Sequence, residues 1–311
     1  MSPSSTLTEE RLDTLIATIA RATVVSPSWI VPFTDFSDAL TAVFELSHRT
    51  TDRIIVAGHA TPEIAIAADR AGYALDEHLG TSPFAADPDG VIERCATGYE
   101  TIYLANPNRV TGSNFGLGDL ELIASAAPSG LVVVDEYYFD FYGITATRLQ
   151  ARYPNIVVVR SHAAAFGIAS SDSGHLILAP ALSERLAGFA AQQRFSTTLH
   201  RLLSTSLDNS EAKAMRVKLL NDEALRLSGE LSALGIQCRI SATDFILMRV
   251  ADPTRVGNAF AKGKVAMLNL DGYPGLRHYV RYTLQSPLSN DTMVSTIKRM
   301  PADYYALDSI D

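Results

Sequence analysis

Six stretches of the chain are apolar with almost no polar alternation: residues 29–33 (WIVPF), 53–58 (RIIVAG), 101–106 (TIYLAN), 131–136 (LVVVDE), 155–160 (NIVVVR) and 175–180 (HLILAP). Such runs suit strands covered on both faces. Between them the apolar positions recur at helical spacing, which predicts helices over residues 36–47, 62–71 and 117–127. Strand–helix alternation of this kind predicts an α/β domain built on a mostly parallel sheet.

After Pro180 the pattern changes. Residues 181–208 read as helical, and residues 210–234 as one long helix stopped by Gly235. Short strands at 236–241 and 244–250 follow, then a helix at 253–262, strands at 264–269 and 278–284, and a helix at 289–299. This is an α+β pattern and predicts a second domain. A helix over residues 8–22 is expected to pack on it. The division is therefore residues 1–30 for the N-terminal helix, 31–210 for the large α/β domain and 211–311 for the small α+β domain, with the boundary inside the long helix. No internal repeat and no low-complexity segment interrupts this order.

Composition narrows the partners. The 311 residues are 47% hydrophobic and 19% charged, enough apolar surface for one large core or two smaller ones. A net charge of -8 with no long basic run argues against nucleic acid and anionic membrane. The two cysteines, Cys95 and Cys238, lie far apart without metal-ligand spacing, so neither a disulfide framework nor a metal site is expected. The opening residues lack the form of a signal peptide, and no apolar run approaches the roughly 20 residues that span a bilayer. A cytoplasmic location is expected.

Three segments in family order carry the candidate chemistry: NPNRVTG at 106–112, LVVVDEYYFDF at 131–141, and IVVVRSHAAAFGIASSDSG at 156–174. They resemble the NPNNPTG loop, the Asp-Glu-x-Tyr strand and the R-T-x-S-K-x-F-G-L-A-G-x-R-x-G segment of fold-type I pyridoxal-phosphate (PLP) aminotransferases, nearest the histidinol-phosphate aminotransferase branch. Residues 61–75 resemble the helix–strand unit before the loop, and residues 275–291 the C-terminal arginine strand. The resemblance covers roughly residues 10–300. It implies the type I PLP-transferase fold, N-terminally shortened relative to the family, and a homodimer, because the family builds each pocket at a subunit interface.

The resemblance also implies roles. Asp135 matches the aspartate that keeps the pyridine nitrogen protonated, Tyr138 the tyrosine at the ring hydroxyl, and Arg281 the arginine that holds a substrate carboxylate. Asn108 lies near the asparagine position, although Arg109 is in register with it. His59 and Glu63 line the cofactor-side mouth in the same frame. Other parts are replaced. The lysine position is Ala164, the serine before it Ala163, and the phosphate arginine Asp172. The small polar phosphate turn reads DFSDAL at 35–40, with aspartate and phenylalanine in its place and Ser37 open as a surviving turn serine, and the stacking aromatic falls at Thr61 or Ile64. Each lost charge-assisted contact removes on the order of 1.5–3 kcal/mol of phosphate affinity.

These replacements imply a protein with no expected cofactor, repurposed as a PLP-independent enzyme or binder of an amino-acid-like or carboxylate small molecule in a biosynthetic pathway. His162, Asp135 and Tyr138 are its candidate catalytic residues, and Arg281, Asn108, Arg109 and His59 its candidate substrate-binding residues. Two alternatives stay open: a non-catalytic regulatory subunit, and a lysine-free PLP or pyridoxamine-phosphate enzyme that uses His162. An engineered lysine-to-alanine trap would leave the phosphate contacts intact. Simpler readings also stand: Asp135 as a turn cap, His162 as a hydrogen-bonded turn residue, Thr61 as a helix cap, and Arg281 as a paired structural arginine.

Overall fold

A computed structural model describes residues 9–47, 51–97, 101–161, 165 and 172–307. The chain divides into two compact units. The first runs to Thr81 and from Ala85 to Ala214; the second takes Ser82–Phe84 and the chain from Met215 on.

In the first unit the described elements are α1 (Glu9–Thr23), β1 (Ile30–Phe33), α2 (Phe36–Phe44), β2 (Arg53–Ala57), α3 (Pro62–Arg70), β3 (Ala74–His78), α4 (Pro88–Cys95), β4 (Thr101–Ala105), α5 (Leu117–Ala126), β5 (Leu131–Asp135), α6 (Phe139–Tyr142), β6 (Ile156–Ser161), β7 (Gly174–Ile177), α7 (Pro180–Arg185), α8 (Ala187–Gln192) and α9 (Thr197–Asp208). The long helix α10 (Ser210–Ser232) crosses the division. The seven strands form one sheet in the order β1-β7-β6-β5-β4-β2-β3. Strands β6, β5, β4, β2 and β3 are parallel neighbours, and β7 and β1 join antiparallel at one edge.

Alternate strand residues enter two separate cores. Ile55, Leu104, Val134 and Val158 pack on one face with residues of α5 and α9; Val56, Tyr103, Val133 and Val157 pack on the other with residues of α2 and α3. The period of two along a strand sends neighbours to opposite faces, so both faces must be apolar. That is the physical basis of the uninterrupted runs. Gly174 shows how closely the strands approach. A Cβ there would lie 2.1 Å from the Arg160 carbonyl oxygen and 2.4 Å from the Phe33 ring.

The structure corrects the placement of the N-terminal helix. Instead of packing on the small domain, α1 buries Leu15, Ile19 and Ala20 in the first core of the large unit, and Arg21 pairs with Asp208 of α9 at 2.8 Å. Two elements, β3 and α4, were absent from the hydropathy pattern. Strand β3 (ALDEH) is half-exposed and polar. Helix α4 follows Asp87, whose side chain accepts from the Gly90 N–H at 3.1 Å.

The second unit has β8 (Gln237–Ile240), β9 (Phe245–Arg249), α11 (Pro253–Lys262), β10 (Leu268–Asn269), β11 (Tyr279–Thr283) and α12 (Pro287–Lys298). Its antiparallel sheet runs β10-β11-β9-β8. A buried polar network braces it: the Tyr282 hydroxyl donates to Asn290 Oδ1 at 3.0 Å, Asn290 Nδ2 donates to Glu223 Oε2 at 2.7 Å, and Arg226 grips both Glu223 oxygens at 2.8 and 2.7 Å. The Arg226 hydrogen bonds, aided by Asn290, hold the Glu223 carboxyl below its ordinary value of 4.5 against the opposing effect of burial. A carboxylate with a depressed folded value contributes stability that is present above the unfolded value and lost as pH falls through the folded one. Thermal unfolding of the native chain should therefore lose more stability below pH 4.5 than Glu223→Gln does. Parallel acid limbs for the two proteins would refute it.

Among the described residues, no helix is long and apolar enough to cross a membrane.

Candidate functional site

The parallel strands β2, β4 and β5 end together, and the loops beyond their C-terminal ends carry the candidate residues. Ligand sites of open α/β sheets form at such ends. After β4, Asn106 closes its own loop: its Nδ2 donates to the Phe115 carbonyl at 3.1 Å, and its Oδ1 accepts from the Phe115 N–H at 2.8 Å. Asn108 is the second staple. Its Oδ1 accepts from the Val110 and Thr111 N–H groups at 2.9 and 3.0 Å, and its Nδ2 donates to the His59 carbonyl at 3.0 Å. This joins the β4 loop to the β2 loop. Gly58 permits the approach, because at φ +100° any Cβ would be strained and would sit 2.9 Å from Asn108 Nδ2. The Asn108 amide is thus engaged within the loops.

Asp135 ends β5 and is fully buried. The Tyr103 hydroxyl donates to its Oδ2 at 2.6 Å, and the Tyr137 N–H donates to its Oδ1 at 3.0 Å. It therefore caps its own turn, as the simpler reading expected, and also faces a cation. Arg109 Nη1 lies 3.8 Å from Oδ2, too long for a hydrogen bond but close enough for a strong Coulomb interaction away from water. The Arg109 guanidinium lies over two rings, with its Cζ 4.7 Å from the Phe36 centroid and 4.3 Å from that of Tyr137. Both distances are within cation–π range.

The electrostatics follow from this burial. Desolvation pushes the Asp135 carboxyl above the ordinary carboxylate range, against the pull of Arg109, Tyr103 and the Tyr137 N–H. Burial also works against charge on Arg109, but Asp135 and the hydroxyls of Tyr103, Tyr137 and Tyr138 more than offset it. Desolvation, reinforced by Asp135, raises the Tyr103 hydroxyl well above its usual value, so it stays a donor. Tyr138 is buried, with its ring edge-on to Tyr137 at 4.8 Å and to Phe141 at 5.9 Å. His59 is buried beside this loop pair, and desolvation lowers its imidazole below 6.5 against the opposing charge of Glu77, which keeps it neutral at pH 7.

Glu136 forms a second pair one residue on. Arg160 donates from Nε to Glu136 Oε2 at 2.9 Å and from Nη2 to Thr145 Oγ1 at 2.9 Å, while the Ala146 N–H donates to Glu136 Oε1 at 2.7 Å.

The expected phosphate positions have other occupations. The turn at Asp35 starts α2, and the Asp35 carboxylate itself accepts from the Asp38 N–H at 2.8 Å. The ring of Phe36 extends to Arg109. Asp172 is exposed ahead of β7. Thr61 takes the N-cap position of α3 without a side-chain capping bond. His162, Ala163 and Ala164 lie outside the described residues.

The large unit thus brings together Asp135, Tyr138, Arg109, Asn108 and His59. Arg281 belongs to the second unit, where its Cζ lies 4.1 Å over the Phe245 ring. Sequence reasoning missed Tyr103 and Phe36. The signal for Tyr103 was a hydroxyl-bearing residue inside an otherwise apolar strand, where a buried hydroxyl needs a partner.

Comparison with known proteins agrees with this fold. The family described as aminotransferase class I and II matches residues 36–293. The histidinol-phosphate aminotransferase of Shewanella amazonensis is 27% identical over 234 residues, 71% of this chain and 64% of that protein. Histidinol-phosphate aminotransferase 1 of Burkholderia lata is 30% identical over 199 residues, 63% of this chain and 56% of that protein. The chain spans less than two thirds of the length of these curated relatives. Among solved structures, the histidinol-phosphate aminotransferase of Clostridium acetobutylicum gives a TM-score of 0.82 at 15% identity, covering 93% of this chain and 89% of that one. The L-threonine-O-3-phosphate decarboxylase of Porphyromonas gingivalis gives 0.77 at 17%, covering 92% and 87%. The fold is the type I PLP-transferase fold, and with a family match over most of its length the chain belongs to the class I and II aminotransferases.

Proposed function

We propose that this family member works without a Schiff base and does not transaminate, acting instead as a PLP-independent enzyme or binder of an amino-acid-like or carboxylate small molecule. One observation carries the reading. All five lysines of the chain lie at or beyond Lys213, so its first 212 residues contain none. Lys213 Nζ is paired with Asp140 of α6 at 2.6 Å. Residues 162–171 contain no lysine in any alignment to the family.

The donor set also fits PLP poorly. When bound, that group acts as an electron sink and carries a pyridinium and a phosphate. Here a guanidinium already faces Asp135, the α2 start is capped by a carboxylate, and Asp172 would repel a phosphate. What the chain's own groups supply is a buried, charge-balanced floor with a neutral imidazole at His59 and tyrosine hydroxyls at Tyr103 and Tyr138. Arg281, on the family resemblance, is the residue we assign to the ligand carboxylate, since a guanidinium holds one with two parallel bonds.

Mixing the purified protein with PLP should give no aldimine absorbance. Borohydride treatment followed by intact-mass measurement should leave the mass unchanged. A pyridoxyl adduct on Lys213 or any other lysine would overturn the reading.

A further inference from the structure

We propose that Arg109 is a built-in replacement for the cofactor's ring cation: its planar guanidinium fills the slot between Phe36 and Tyr137 that faces Asp135, and closes that slot to any planar cationic ligand. This rests on the reading above, but concerns the ring slot and not the missing lysine.

A pyridinium is flat, positive, stacks on aromatic faces and seeks a buried carboxylate. The Arg109 guanidinium has each property here. It is flat, it lies 4.7 and 4.3 Å over two ring centroids, and it stands 3.8 Å from Asp135 Oδ2. Guanidinium, weakly hydrated and delocalised, tolerates such a place better than a lysine ammonium. Two residues make the arrangement. Arg109 stands where the family pattern has asparagine, and Phe36 stands in the turn that is small and polar in the pattern. An asparagine could neither reach across to Asp135 nor neutralise it. The two departures therefore belong together: the long cation supplies the charge, and the ring supplies its stacking partner. Buried carboxylates are costly unless paired, so a chain that lost a cationic cofactor without acquiring a cation would strand Asp135. Arg160, on the neighbouring strand, is committed elsewhere, bound to Glu136 and Thr145.

The test removes the cation and offers it back. Arg109→Ala and Arg109→Asn would be compared with the native protein by thermal shift, with methylguanidinium and, separately, pyridoxine as probes. Pyridoxine carries the cofactor's ring but no aldehyde, so it reports on the slot alone, whereas the borohydride experiment reports on lysine alone. The native protein should respond to neither probe. The variants should melt lower and should be raised by both probes, by roughly 2–4 °C at a tenfold excess over the dissociation constant. Should neither variant accumulate in soluble form, recovery on refolding with and without methylguanidinium becomes the readout, and a higher yield with it is expected. Stabilisation of the native protein by pyridoxine would overturn the proposal. So would variants, or refolding yields, indifferent to methylguanidinium. Rescue by methylguanidinium without any pyridoxine effect would also overturn it, by showing a guanidinium site that is not the ring's.

Discussion

Replacing Asp135 by alanine should cost about 3–5 kcal/mol of folding stability, the range for removing one partner of a buried ion pair. Arg109 would be left charged beneath Phe36 and Tyr137 with its closest carboxylate gone, and the Tyr103 hydroxyl and Tyr137 N–H would lose their acceptor. Asp135→Asn should cost less, because its one amide oxygen can still accept from the Tyr137 N–H and the Tyr103 hydroxyl can turn to accept from the new NH2 group, while only the charge is lost. Urea unfolding of the three proteins, read as midpoint and slope, measures the differences. If alanine and asparagine both cost under about 1 kcal/mol, the Coulomb interaction with Arg109 carries little weight.

Glu136→Ala should cost as much, on the order of 3–5 kcal/mol, since it strands Arg160 and the Ala146 N–H. The double variant Glu136→Ala/Arg160→Met should be more stable than Glu136→Ala alone, because an apolar pair leaves no unpaired charge. The exposed pair Arg21–Asp208, at 69% and 60% side-chain exposure, serves as the control: Asp208→Ala should change stability by less than about 1 kcal/mol. Equal losses at the buried and exposed pairs would show that burial is not what makes Glu136 sensitive. Because Asp135 and Glu136 are adjacent, variants at both should not be additive.

The parts of the fold that were legible in the sequence are those whose burial is two-sided. Strands β4, β5 and β6 are buried almost throughout, so hydropathy alone located them. Helix α4 offered a different signal, an aspartate followed by proline at 87–88, which is an N-cap followed by a favoured first helical residue. The helix 181–208 proved to be three, α7, α8 and α9, since apolar spacing does not register short breaks. The strand at 264–269 shortened to Leu268–Asn269. At the site, Asp135, Asn108 and Arg109 were legible through motif order. Their pairing was not, because Tyr103 and Asp135 are 32 residues apart and meet only once β4 lies beside β5. The orientation of α1 was illegible for the same reason: an amphipathic helix states that it has an apolar face, not which core receives it.

Strand β3 escaped the hydropathy reading because it carries Asp76, Glu77 and His78, and those residues have a second effect. Together with β1 it forms the rim of the seven-strand sheet. A rim strand exposes backbone donors and acceptors that can recruit a further chain, and charge or proline discourages this. At one rim Asp76 is tied to Arg94 at 3.0 Å, Glu77 accepts from the Ala60 N–H at 2.7 Å and His78 pairs with Asp87 at 2.8 Å. At the other, Pro32 brings no N–H at all. Side chains occupied in this way make a poor template for an eighth strand, so the sheet guards both of its open sides against polymerisation.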